Sequence, residues 1–419
     1  MDKFLNAVYD VWIDGVPQPN LEIRYGQYRF RTVTGFFSFY GMYDQLKNCT
    51  IQDVYDNPNE VYYYFINGIN DIENSIKEND NLLPITNEVE KCFYDCLNFN
   101  IVLLHEHEFE SENCFKLLNN IIEQKSYDAT KFYMINNNTV LKNYKEKYNS
   151  KINVHSLDFL VKINAKNLSE NPCEFVTEKE GFAMTHNRTV KPHRYGLLAK
   201  LKKEGFLDQM DWSLVMGWDR KRIVREISED WDFYYNVFDE EEINTLKPYI
   251  LWLQDIDIKK SKYEENHTWF DIEGNHHGID WNKTFEVKTY ENSYINVTTE
   301  SCYLWPETHI TDKTIKPLFF YQIPIFVASY QHVKYVRERF GLDVFDDIID
   351  HSYDNEPDNR KRFKMIFDEI KRVHYIKPRI IEFYKKNEDR FRKNREIILE
   401  LKNSTKDVDY FKQMINKKL

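Results

Sequence analysis

The sequence predicts an α/β protein with largely parallel, doubly wound sheets in two domains. Three observations predict it. The chain has 419 residues, too many for one ordinary core and suited to two of about 150–250 residues each. Short apolar runs bounded by polar clusters recur along it, each followed by a stretch of helical spacing; crossover helices between parallel strands leave that alternation. The composition supplies the filling, with 42% hydrophobic and 30% charged residues, 29 Tyr and 29 Phe. That balance excludes a mainly disordered chain, and 12 Gly with 12 Pro excludes collagen-like and linker-dominated ones.

Residues 1–165 are expected to form the first domain. Tyr28 to Thr34 reads as an aromatic and β-branched strand ending at Gly35, with helical character from Phe39 to Leu46. Val61 to Ile66 and Ile101 to Leu104 suit buried parallel strands. Lys131 to Ile135, a Lys-rich amphipathic stretch and Ile152 to Leu160 make a further β-α-β step. Periodicity fades over Asn164 to Thr177, so residues 166–178 are expected to be a linker. The second domain, 179–375, opens with Gly181 to Thr185, a helix near Tyr195 to Glu204 and the strand Trp212 to Met216. Residues 219–283 are charged and aromatic and read as an insertion. Alternation resumes with Tyr294 to Thr298, a helix near Lys313 to Tyr321 and Ile325 to Ala328. Phe363, Ile366, Phe367 and Ile370 recur at helical spacing, and residues 376–419, rich in Lys, Arg and Glu, predict terminal surface helices.

Lys and Arg number 57 against 68 Asp and Glu, a net charge of -11, so nucleic acid would be repelled except at a local basic patch. The 6 cysteines form no CxxC pair, which predicts reduced thiols and a cytoplasmic location. No basic segment followed by an apolar run opens the sequence, so no secretory leader is expected. The longest apolar stretch, Leu318 to Tyr330, is broken by Gln322 and Pro324 and is too short to span a bilayer.

Chemistry-bearing residues are densest over 294–373. A strand leads to Glu300, a loop, then Thr311, Asp312, Lys313, Thr314 and Lys316 at the start of a helix. A hydroxyl, a lysine and a helix N-terminus at a strand's carboxyl end suit a diphosphate, although a routine capped helix carries the same letters. A second basic cluster, Asn187, Arg188, Lys191, His193 and Arg194, sits between a strand and a helix. Cations there oppose the helix dipole unless an anion lies among them, and an arginine offers a bidentate clamp; the alternative is a solvated basic turn. For a base that takes a proton from an acceptor hydroxyl, the candidates are His105, Glu106 and Glu108 in the run His105 to Glu108 after an apolar strand. A polar loop fits the same run, and paired histidines with acids also suit a metal, although no third ligand is assignable from the sequence. Asp14 and Ser38 are weaker candidates for acceptor contacts. The turn Gly274 to Gly278 reads as a loop, and Trp231 to Phe238 as a packed helix face.

The runs ITDKTIKPLFFYQIPIFVAS, from Ile310, and VRERFGLDVFDDIIDHSYDNEPDNRKRFKMIFDEI, from Val336, resemble the carboxyl-terminal half of viral and bacteriophage glycosyltransferases. In that family an EKT-x-KP segment precedes an apolar strand, a GF-x-x-F step and an arginine-bearing helix; here Asp312 stands for the usual Glu. The segment MTHNRTVKPHRYGLLAKLKKEGFLDQMDWSLVMG, from Met184, is similar to the family's Asn-Arg-x-x-(Lys/Arg)-x-x-Arg pattern, and a weaker echo lies at Gly35 to Ser38. A more distant similarity connects the donor-binding turn with that of α1,3-fucosyltransferases. The resemblance covers roughly residues 180–375. It implies a GT-B arrangement, two Rossmann-like domains facing across a cleft. A UDP- or GDP-linked sugar would serve as co-substrate over Asn187, Arg188, Lys191, Arg194, Glu300 and the Thr311–Lys316 turn, with Glu300 on the ribose or sugar hydroxyls. No tightly bound cofactor or metal is implied. The acceptor would be a glycan or a modified DNA base. The rival expectation is a binding or structural viral protein that keeps the fold without turnover.

Overall fold

In a computed structural model, the described residues are 4–9, 12–13, 16–17, 42, 45–67, 82–83, 85–105, 112–136, 141–187, 191–214, 231–256, 287–305 and 308–416. The chain divides into two compact units, one of residues 1–160 with 404–419, the other of 161–403. Each is built on a parallel sheet with helical crossovers, an α/β organisation of the Rossmann-like kind.

Unit 1 holds β1 (Leu5–Val8), the short antiparallel pair β2 (Trp12–Ile13) and β3 (Val16–Pro17), β4 (Leu46–Cys49), α1 (Ile51–Asp56), β5 (Tyr62–Asn67) and α2 (Asn87–Asp95). Then come β6 (Phe99–His105), α3 (Glu112–Gln124), β7 (Phe132–Asn136), α4 (Leu141–Lys147), β8 (Asn153–Ser156) and α5 (Phe159–Ser169), which leads into unit 2. The sheet order is β4-β1-β5-β6-β7-β8, parallel throughout. Every described side chain of β5, β6 and β7 is buried, as strands covered on both faces require. Leu46, expected to end a helical stretch, instead opens β4 in register with Leu5. β4 is an edge strand whose Lys47 and Asn48 are exposed, so it lacks the apolar run that marks its neighbours. The Tyr28–Thr34 strand, with Asp14, Ser38 and the Gly35 echo, lies outside the described residues.

Unit 2 continues with β9 (Gly181–Asn187), α6 (Pro192–Lys203), β10 (Asp211–Leu214), α7 (Glu240–Asp255), α8 (Val287–Glu291), β11 (Ser293–Thr299), α9 (Asp312–Phe319), β12 (Ile323–Val327) and α10 (His332–Phe340). Three helices follow, α11 (Asn359–Tyr375), α12 (Lys377–Lys386) and α13 (Glu388–Leu401), before α14 (Lys406–Asn416) returns to unit 1. The expected linker therefore begins inside α5, and of the terminal helices only α14 leaves unit 2. The sheet order is β10-β9-β11-β12, all parallel. Pro324 sits in β12, an edge strand, where a missing N–H is tolerated. Pro192 opens α6 at a position whose N–H would lack a helical partner anyway. The Trp231–Asn236 stretch is a 3₁₀ turn, followed by the buried Val237 and Phe238. Of the expected 219–283 insertion, residues 231–256 are described, and the Gly274–Gly278 turn is not among them. Among the described residues, no helix is long and apolar enough to cross a membrane.

Candidate functional site

In unit 2 the chain runs from β9 outward to β10, then returns to lay β11 on the other side of β9. The strand order reverses between β9 and β11, and open α/β sheets bind ligands outside the carboxyl ends at such a reversal. Most of the residues expected to bind the donor gather there.

The two strand ends are joined by polar side chains. Asn187, the last residue of β9, accepts a hydrogen bond from the Thr299 hydroxyl at 2.7 Å and donates to the Thr185 hydroxyl at 3.2 Å. Thr185 in turn donates to the Val297 carbonyl at 2.9 Å. The first turn of α6 is tied to the same place: His193 Nε2 donates to the Glu300 carbonyl at 2.9 Å and the Arg194 guanidinium to the Thr299 carbonyl at 3.1 Å. Burial, with Arg194 and Lys191 beside it, holds His193 well below the ordinary histidine range. Its ring is therefore neutral and stacks on Tyr303 at 5.2 Å between centroids. Arg362, on α11, lies over the other part of this cluster, 4.7 Å from the Tyr303 ring centre, and donates to the carbonyls of Ala328, Glu356 and Tyr303.

Glu300 is the hub. It is 1% exposed, and its carboxylate accepts from the Ser301 amide at 3.1 Å, the Thr311 amide at 3.3 Å, the Thr311 hydroxyl at 2.8 Å and the Thr314 hydroxyl. Burial alone would raise its pKa; Lys313, His332 and the Thr314 hydroxyl outweigh it and hold the group below the usual carboxylate range. Thr314 donates to Glu300, so its oxygen accepts from His332 Nε2 at 3.0 Å. Thr311 caps α9, accepting from the Lys313 amide at 3.2 Å. Asp312 faces both lysines, 2.5 Å from Lys316 and 3.2 Å from Lys313. Burial would raise its carboxyl, but the two ammonium groups hold it far below the ordinary range.

Three helices start at this end of the sheet, and their N-termini differ. At α10, the Asp354 carboxylate accepts the amides of Val333 and Lys334, each at 2.9 Å. At α9, Glu300 and Thr311 take the corresponding places. At α6 there is no side-chain cap and no acidic residue in the first turn, and Lys191 stands at the N-cap. An anion approaching the reversal meets positive charge from α6 and from the partly exposed Lys191 and Lys313.

The structure thus separates the expected donor residues into two groups. Asn187, Arg194, Glu300, Thr311 and Thr314 are buried and form the floor, the first two each bonded to Thr299 and the last three to one another. Glu300, expected on the ribose or sugar hydroxyls, has its oxygens turned to the protein. Arg194, expected as a diphosphate clamp, is 1% exposed beneath the start of α6. Lys191 and Lys313 retain access, while Lys316 is largely enclosed in its pair with Asp312. Arg188, Glu106 and Glu108 lie outside the described residues, as does the side chain of His105 at the end of β6. Sequence reasoning missed His309, His332 and Asp354. His309 precedes the Thr311 cap by two residues, His332 opens α10 and Asp354 lies in the 3₁₀ turn Ser352–Asn355, but nothing in their local spacing shows that they face Glu300 or a helix start. Among the described residues, no group of three metal-ligating side chains occurs. No protein-family model matches the chain, and comparison with curated proteins finds no match either.

Proposed function

We propose that the chain is a nucleotide-sugar-dependent glycosyltransferase of GT-B type, its donor bound by unit 2 and its acceptor by unit 1. One observation carries the reading: at the β9–β11 reversal a buried, extensively hydrogen-bonded floor presents a helix start with no acidic residue in its first turn, with the partly exposed Lys191 and Lys313 at the same end of the sheet. That combination suits a diphosphate, whose two charges need fixed donors and cations rather than a mobile loop. The resemblance of residues 180–375 to viral and phage glycosyltransferases supports the same assignment. In the reaction a base removes the acceptor hydroxyl proton as the oxygen bonds to the anomeric carbon. The bond from that carbon to the diphosphate breaks, and the departing nucleoside diphosphate takes the electron pair. Lys191 and Lys313 offset the charge that develops on it. His105, Glu106 and Glu108 remain the candidates for the base.

Incubation with a panel of UDP- and GDP-linked sugars, with release of free nucleoside diphosphate as the readout, tests the proposal. Lys313→Ala and Lys191→Ala should each weaken donor binding by about 1.5–3 kcal/mol, the worth of a charged hydrogen bond. Binding without release in any donor and acceptor mixture would favour the non-catalytic alternative. Unchanged affinity in both variants would refute the placement.

A further inference from the structure

Toward the amino end of the unit 2 sheet, away from the donor site, a gap opens between the strands and α11. Its floor is one face of the sheet, where Ile295 pairs with Ala183 and Val297 with Ile325. Val373 of α11 lies above, and Phe206, between α6 and β10, closes one side. Ala183 offers only a methyl group beside the branched chain of Ile295, which leaves space over it. Solvent reaches that position: Ala183 is 7% exposed, against 1% for Ile295 and 0% for Ile325. The space amounts to about 430 Å³, its open mouth included. The polar lining residues that reach solvent mark the mouth: Gln209, His374 near the end of α11, and Lys377, the first residue of α12. Gln209 donates to the Gly205 carbonyl at 3.1 Å. The side chains of His374 and Lys377 have no hydrogen bond or ion pair with any described residue. Lys377 is exposed with its Nζ 5.2 Å from the Phe182 ring centre, and the His374 ring rests on Phe206 at 4.6 Å between centroids.

We propose that this gap binds a small monocarboxylate with an apolar chain, the chain lying over Ala183 and the carboxylate at Lys377 and His374. The floor and roof present apolar side chains only, so the enclosed part of a ligand gains by leaving water only if it is apolar too. The mouth supplies a single fixed positive charge. Burial and the neighbouring Lys377 hold His374 below the ordinary histidine range, so at neutral pH its ring is uncharged and adds a hydrogen bond rather than a second charge. One ammonium and one ring N–H match the two oxygens of a carboxylate and leave the second charge of a phosphate monoester unmatched. The site lies within unit 2 and is independent of the glycosyltransferase reading.

Calorimetric titration of the intact protein with hexanoate, hexan-1-ol and acetate tests this. Hexanoate should occupy one site, and bind about tenfold or more tighter than hexan-1-ol, which lacks the charge, or acetate, which lacks the chain. Lys377→Gln, at an exposed position, should bring hexanoate down to the affinity of the alcohol and leave the alcohol unchanged. Ala183→Leu should fill the gap and abolish binding of both, with Ala183→Val as the smaller filling if leucine prevents folding. Equal affinity for acid and alcohol, an unchanged hexanoate affinity in Lys377→Gln, or undiminished binding in a folded Ala183 variant would overturn the proposal. So would the absence of hexanoate binding up to about 10 mM.

Discussion

Glu300 is legible in the sequence as an acidic residue after a strand, but its role is not, because its partners lie 11 and 14 positions downstream across a loop. Charge and position in the chain suggested a ligand contact; burial turned the carboxylate inward instead. Glu300→Ala should cost about 3–5 kcal/mol in urea denaturation, since it leaves several buried donors without an acceptor, and Glu300→Gln clearly less. His309 gives the region a pH signature. Burial holds it at about 4, so the unfolded chain takes up a proton near 6.5 that the folded one refuses. Stability present above pH 6.5 is therefore lost as pH falls toward 4, by roughly 3 kcal/mol from this residue. His193 and His332, both depressed by burial, act in the same direction, as do the lowered carboxyls Glu300 and Asp312 further down. Urea midpoints at pH 7.5 and 5 should differ, and His309→Gln should flatten the slope; equal midpoints would refute it.

Among the elements, α6 matters most to the site because it carries Lys191, His193 and Arg194, and one glycine decides how closely it packs. A Cβ on Gly196 would lie 2.1 Å from the Phe238 ring. That ring is fully buried, edge-on to Phe363 at 4.9 Å, and has nowhere to swing. Gly196→Ala should thus destabilise by about 1–3 kcal/mol despite the better helix propensity of alanine, and Phe238→Leu should recover part of the loss in a double-mutant cycle. Strands such as β5, β6, β11 and β12 were legible because fully buried parallel strands are continuous apolar runs. β1 and β4 were not, as LNAV and LKNC mix polar letters into short segments. The first residues of the expected linker, 166–169, are helical because the apolar residues of α5, Val161, Ala165 and Leu168, are spaced for a helix and packed in the unit 2 core.

At the scale of the molecule, two domains follow from length and alternation, whereas the dividing line does not, because it depends on a long-range return. Residues 404–416 belong with unit 1: Val408, Phe411 and Met414 are buried, Tyr63 donates to the Met414 carbonyl at 3.1 Å, and His155 meets Asp407 at 2.8 Å. His155 also stacks on Tyr410, 3.9 Å between centroids. A chain ended after Asn403 should lose several kcal/mol from unit 1, at about 1.5–3 kcal/mol for each large apolar side chain uncovered. Limited proteolysis should then digest residues 1–160 first and spare 161–403; equal resistance of both would contradict the division.

The same return has a consequence during synthesis. A ribosome must add the whole of unit 2 before it reaches α14. At about 5–20 residues per second, the face around Tyr63 and Tyr133 waits on the order of ten seconds or longer for its cover. For that interval the nascent chain carries a finished sheet edge to edge but one sticky side, so chaperone capture should fall on the half translated first rather than on the half translated last.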